Sequence, residues 1–197
     1  MDDKERYIKL LRSTRREGIL KLLTMMEIEG FYQSPCSSTH HLNVPGGLVK
    51  HSLNVYDCMV KLKDAFLTEY DGITDYIDDD NIILVSLLHD LGKMGDHGKP
   101  GYLQNILKDG KQSDKKPYVT NADLLYVPHE IRSIAIAERY INLTEEEEFA
   151  ILQHNGMYGD LKYALKDKET PLQMLLHFAD MWASRVIEIE KEEKEAE

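Results

Sequence analysis

The apolar run Ile82-Ile83-Leu84-Val85-Ser86-Leu87-Leu88 ends in His89-Asp90 and passes into Leu91-Gly92-Lys93. Neighbouring residues on a helix point to different faces. A buried helix therefore rarely takes an imidazole and a carboxylate into apolar surroundings unless something compensates their desolvation. A metal ion compensates both at once. Gly92 suits a left-handed helix stop, which puts the pair on the last helical turn beside a pocket. The reading is a buried helix that delivers two adjacent ligands into a cavity.

Four further residues interrupt apolar stripes. His51 follows Pro45-Gly46-Gly47 in a segment where Leu48, His51, Val55, Met59, Leu62 and Phe66 recur every three or four residues, so its ring is expected to face the core. Asp180 continues the stripe Leu172, Leu176, Asp180, Ala183, Ile187 in a helix opened by Thr170-Pro171. A carboxylate in such a stripe is costly unless paired or coordinated. His129 stands at the amino end of the pattern Ile131, Ile134, Ala135, Glu138. His154 closes a helix that begins with the capping box Thr144 to Glu147 and stops at Asn155-Gly156.

The order His51, His89-Asp90, His129, His154, Asp180 resembles that of the HD-domain superfamily of metal-dependent phosphohydrolases. The likeness rests on that order and on His-Asp-Leu-Gly-Lys at 89 to 93. Asn43-Val44-Pro45-Gly46-Gly47-Leu48-Val49-Lys50-His51-Ser52 adds to it, being similar to the Gly-Gly-Leu-x-x-His-Ser opening of bacterial and phage members. So does His177-Phe178-Ala179-Asp180-Met181, similar to their closing helix. It spans about residues 40 to 185.

The resemblance implies a first metal on His51, His89, Asp90 and Asp180. It implies a second on His129 and His154, with Asp90 as the bridge. One or two divalent transition-metal ions follow, and mixed imidazole and carboxylate donors suit iron, manganese, cobalt, nickel or zinc. Two such ions acidify a water and polarise phosphoryl oxygens for in-line attack. Lys93 is similar to a lysine that contacts the scissile phosphate, a charge-neutralising part beside Asp90. His40 and His41, in the loop after Ser34-Pro35-Cys36, are secondary candidates for protonating a leaving group or contacting phosphate.

The expected substrate is a small phosphomonoester or phosphodiester, a nucleotide or short oligonucleotide. Gly156-Met157-Tyr158-Gly159-Asp160 follows His154 where the cyclic-dinucleotide enzymes carry Gly-Tyr-Pro, which weakens that specificity. Two rival functions share the frame: a di-iron oxygenase acting on a small polar or phosphorylated substrate, and a non-catalytic nucleotide binder.

The supporting elements read as helices. Periodicity recurs over residues 7–11, 19–26, 48–66, 82–91, 131–140, 145–154 and 172–189, and strand signals are sparse. The expectation is an all-α bundle with the metal site in its central cavity. With 197 residues and 42% hydrophobic composition the chain supports one domain: a helical segment 1–39 packed on the core, the HD domain 40–187, and an acidic, fraying helical tail 188–197. Residues 93–118, rich in Gly and Pro, carry six lysines and three aspartates in a chain of formal charge −11, which reads as a mobile loop or lid of positive excess. Tyr102, Tyr118 and Tyr126 flank this lid and could stack on a base.

The acidic balance argues against duplex nucleic acid as a partner. The absence of a secretory or membrane-length apolar stretch argues for a cytoplasmic protein without a membrane. Cys36 and Cys58 make no disulfide framework, and the Thr144 of Asn142-Leu143-Thr144 serves as a helix cap. Oligomeric state is not legible.

Overall fold

The computed structural model describes residues 1–67 and 77–189. Of the acidic tail, residues 190–197 lie outside the described residues. Helices α1 (Asp3–Ser13), α2 (Ile19–Ile28), α3 (Gly47–Leu67), α4 (Asp79–Leu88), α5 (His129–Ala137), α6 (Glu145–Leu152), α7 (Lys162–Leu165) and α8 (Pro171–Trp182) form the body. Strands occur, among the described residues, as two short antiparallel pairs: β1 (Gly95–Asp96) with β2 (Lys99–Pro100), and β3 (Tyr102–Gln104) with β4 (Tyr118–Thr120). No described helix is long and apolar enough to cross a membrane.

α4 forms the centre. Residues Ile82 to Leu88 are buried on every side, as a helix without a polar stripe requires. Its start is set by a capping box between Asp78 and Asn81. α3 lies against both α4 and α8, α6 joins α4 to α8, and α1 packs across α3 and α4. α3 buries Leu48, His51, Ser52, Val55 and Met59 along the expected stripe, although Phe66 at its far end is half exposed. The buried Tyr7 of α1 donates its hydroxyl to the Leu87 carbonyl at 2.5 Å. That satisfies one of the carbonyls that every helix end leaves without an intrahelical donor.

Two expectations are corrected and a third is given detail. Gly92 is no left-handed stop: Leu91–Met94 continues as a 3-10 turn, and Gly92 is absent from the positive-φ glycines. Glycine is needed there because a Cβ would come within 2.3 Å of the His129 carbonyl and 2.9 Å of the Ser133 amide. Residues 93–118, expected as a mobile loop or lid, contain the β1–β2 hairpin and pair β3 with β4 across an irregular stretch at 105–117. His97 and Gly98 are both at positive φ in the tight turn between β1 and β2. Asp96 ties that turn to the chain just after α5 by accepting from Arg139 at 2.7 Å.

The second correction concerns the chain after α8. Residues Ala183–Ile187 form a π turn, so the buried stripe slips by one residue. Ile187, expected inside, is 47% exposed, whereas Glu188, assigned to a fraying tail, is only 9% exposed.

Glu147 fastens the frame. Its carboxylate is fully buried and accepts from both Arg16 guanidinium nitrogens (3.0 and 2.8 Å), from Asn81 Nδ2 (3.0 Å) and from the Thr144 amide (2.8 Å). It thereby joins the chain before α2 to the first turns of α4 and α6. Removing one partner leaves a buried charge under-compensated. Arg16→Met is expected to cost about 3 kcal/mol, read as a lower denaturation midpoint at unchanged slope; a midpoint equal to wild type would refute this account of the frame.

Candidate metal centre

Four of the six proposed ligands sit at places where a regular element begins, ends or turns. His89 is the cap that closes α4, and Asp90 opens the 3-10 turn behind it. His129 is the first residue of α5, His154 follows the end of α6, and His51 lies one turn into α3. Asp180, on the last turn of α8, completes the set.

All six meet around one carboxylate. Asp90 Oδ2 lies 3.4 Å from His51 Nε2 and 3.4 Å from His89 Nε2. Asp90 Oδ1 lies 3.2 Å from His129 Nε2 and 3.7 Å from His154 Nε2. Asp180 Oδ1 stands 3.2 Å from His51 Nε2. Three overlapping groups, His51-His89-Asp90, His89-His154-Asp180 and Asp90-His129-His154, each bring their donor atoms within 4.8 Å of one another, as metal-binding groups require.

The ring orientations share one cause. His89 Nδ1 donates to the Ser86 carbonyl at 2.9 Å, and His154 Nδ1 to the Ile151 carbonyl at 2.7 Å. His51 Nδ1 donates to the Glu188 carboxylate at 3.1 Å, and His129 Nδ1 faces Glu130 at 3.2 Å. A carbonyl can only accept, so His89 and His154 carry a proton on Nδ1. Each of the four rings turns its Nε2 toward Asp90. Those nitrogens approach one another, 3.3 Å apart for His51 and His89 and 3.3 Å for His129 and His154.

The chemistry fits a cation. Asp90 Oδ1 is buried with no well-formed hydrogen bond, although His129 Nε2 stands 3.2 Å away. Burial alone would raise the Asp90 carboxyl, but the Lys93 ammonium and the neighbouring imidazoles hold it well below the ordinary range. Burial, reinforced by His89 and His129, pushes His154 down to about 3, so it stays neutral and able to ligate.

Lys93 lies inside rather than on the surface. Its Nζ donates to Asp90 Oδ2 at 2.5 Å, and that carboxylate keeps the ammonium charged against the effect of burial. A cavity of about 740 Å³ opens beside it, lined in part by His40, His41, Tyr102, Arg185 and Glu188. His41 reaches the ligand cluster, its ring 5.1 Å from that of His51. His40 is exposed at the cavity rim and touches none of the six ligands through any recorded bond. Of the three tyrosines beside the hairpins, Tyr102 lines the cavity, Tyr118 is buried and Tyr126 is 84% exposed.

Sequence reading missed two positioning residues. Glu188 was hidden by the π turn, which no periodicity announces. Ser133 joins the two halves of the site: its hydroxyl lies 2.7 Å from the His89 carbonyl and 2.8 Å from the His129 carbonyl, and it accepts from the Gly92 amide at 2.8 Å. A serine in a helix gives no sequence signal of such a contact.

The chain matches no protein-family model, no curated protein and no solved structure.

The close contact at Gly92 makes the spacing testable. Gly92→Ala drives a methyl group into the first turn of α5, expected to cost about 1–3 kcal/mol and to lower the metal content of protein purified without chelator. Wild-type stability together with wild-type metal content would show that α5 tolerates displacement from Asp90.

Proposed function

We propose that this chain is a binuclear metal-dependent phosphohydrolase of the HD-domain kind, acting on a small phosphomonoester or phosphodiester. One observation carries the reading: the two oxygens of Asp90 face opposite pairs of histidines, His51 and His89 on one side, His129 and His154 on the other. A carboxylate so placed suits a bridge between two ions. His51, His89, Asp90 and Asp180 would hold one ion, and Asp90, His129 and His154 the other. Their donor set suits iron, manganese, cobalt, nickel or zinc.

Bound there, such ions supply the charge that activates water and stabilises phosphoryl oxygens. The chain's own residues supply the rest. The Nδ1 hydrogen bonds hold the rings of His51, His89 and His154 in place, which limits the reorganisation of these ligands as charge develops. Lys93, charged and close to Asp90, presents an ammonium at the cavity floor for a phosphoryl oxygen to share. Arg185 adds a second cation to the wall, and Tyr102 offers a ring face. The cavity volume lies in the range of small-molecule sites, which favours a nucleotide-sized substrate over a polymer.

The test is metal content per chain, with phosphate release from a panel of nucleotides and phosphodiesters under manganese, cobalt or iron, with and without oxygen. Turnover without oxygen, with both ions bound, is the expected result. Turnover that requires oxygen and iron would transfer the protein to the oxygenase class, and tight nucleotide binding without turnover to the binders. Asp90→Asn is expected to lose metal and turnover together. Lys93→Met is expected to keep its metal and lose about 100-fold or more in kcat; an unchanged kcat would remove Lys93 from the reaction.

A further inference from the structure

A thiol stands beside this centre that the phosphohydrolase reading does not use. Cys36 is fully buried, and its Sγ lies 3.4 Å from His41 Nε2. The same His41 nitrogen is 3.7 Å from Glu188 Oε2. Cys36, His41 and Glu188 all line the 740 Å³ cavity. Cys36, His41 and His51 also bring one donor atom each within 4.8 Å of one another.

We propose that Cys36 and His41 form the core of a separate site for a thiophilic divalent cation, zinc in the first instance, with Glu188, 3.7 Å from His41, as the nearest carboxylate to serve as a third donor and a fourth position open to the cavity. The spacing carries this. A thiolate and an imidazole bound to one tetrahedral zinc at ordinary bond lengths stand about 3.6 Å apart. The separation of Cys36 from His41 is 3.4 Å. A thiolate, an imidazole and a carboxylate with one vacant position is the donor pattern of an exchangeable zinc site rather than of a closed structural one. Magnesium and calcium, which take oxygen ligands, are disfavoured by the sulfur.

Binding forms the sulfur–metal bond and releases the thiol proton to solvent. No oxidant or reductant is involved. Glu188 also holds His51 Nδ1, so the two sites share one carboxylate. An ion on Glu188 would draw on the group that orients a ligand of the first centre. Zinc at this site is thus expected to modulate the first centre without displacing any of its six ligands. The site itself does not rest on the phosphohydrolase reading.

The probe is cobalt(II), added to full-length reduced protein after chelator treatment. A thiolate ligand gives a near-ultraviolet sulfur-to-cobalt charge-transfer band that histidine and carboxylate ligands do not. The expected result is such a band, lost in Cys36→Ser and in His41→Gln, kept in Cys58→Ser, and displaced by zinc. The His154→Ala chain, weakened at the first centre, should keep the band, which separates failure of one reading from failure of the other. Absence of the band in the wild-type chain, or its survival in Cys36→Ser, would overturn the proposal. The His41→Gln variant keeps the thiol, so loss of the band there, with the helical circular dichroism unchanged, does not reduce to unfolding.

Discussion

Four imidazoles and two carboxylates gathered about one buried point are the constraint on which the rest of this structure depends. Polar groups gain nothing from burial unless each finds a partner, and one oxygen of Asp90 has none. Each must also give up its hydration. A fold tolerates such a cluster only if the surrounding packing outweighs the cost or a cation removes it. Here packing does part of the work, because α4 is enclosed by α3, α6 and α8 along the whole run before His89. A bound cation would then stabilise the native chain by mass action, since no such cluster exists in the unfolded chain. Fold and site are therefore thermodynamically linked.

The linkage explains where the hydrogen bonds lie. Tyr7 satisfies a carbonyl at the end of α4, and Ser133 joins the turn after α4 to the start of α5. Glu147 joins the first turns of α4 and α6. His177 donates to the His154 carbonyl at 2.8 Å, while Gly156, at positive φ, leaves room for that ring. None of these residues is among the proposed ligands. Each holds the end of an element that carries one. Helix ends are the parts of a helix with unsatisfied backbone groups, so they need partners and can be fixed by them. Ligands placed there gain positions determined by more than one element.

What was legible in the sequence follows from the same physics. His51, His89, Asp90 and Asp180 announced themselves because a polar group in an apolar stripe needs a reason, and stripes are visible in one dimension. The helical body was legible by the same periodicity. The pairing of Asp96 with Arg139 was not, because it joins residues 43 apart through a hairpin whose Gly and Pro content resembled an irregular loop. Gly92 was noticed for its conformational freedom, although what it supplies is the absence of a side chain against α5. Glu188 was misplaced because periodicity assumes a constant number of residues per turn, and the π turn breaks that assumption at the point where the chain passes the site.

Glu188 also bears on how an anionic chain would take an anionic substrate. Glu188 lines the cavity with Lys93 and Arg185, and Lys93 is already paired with Asp90. Part of the cationic charge at the wall is thus matched by carboxylates before any anion arrives. On the proposed reading, cations held by the carboxylates would add positive charge locally, while the chain as a whole stays at formal charge −11 and repels anions at a distance. Substrate and metal binding would then be coupled through the same carboxylates. An anion that entered would strengthen the hold on the cations, and loss of the cations would weaken the hold on the anion, as reciprocity between the two equilibria requires.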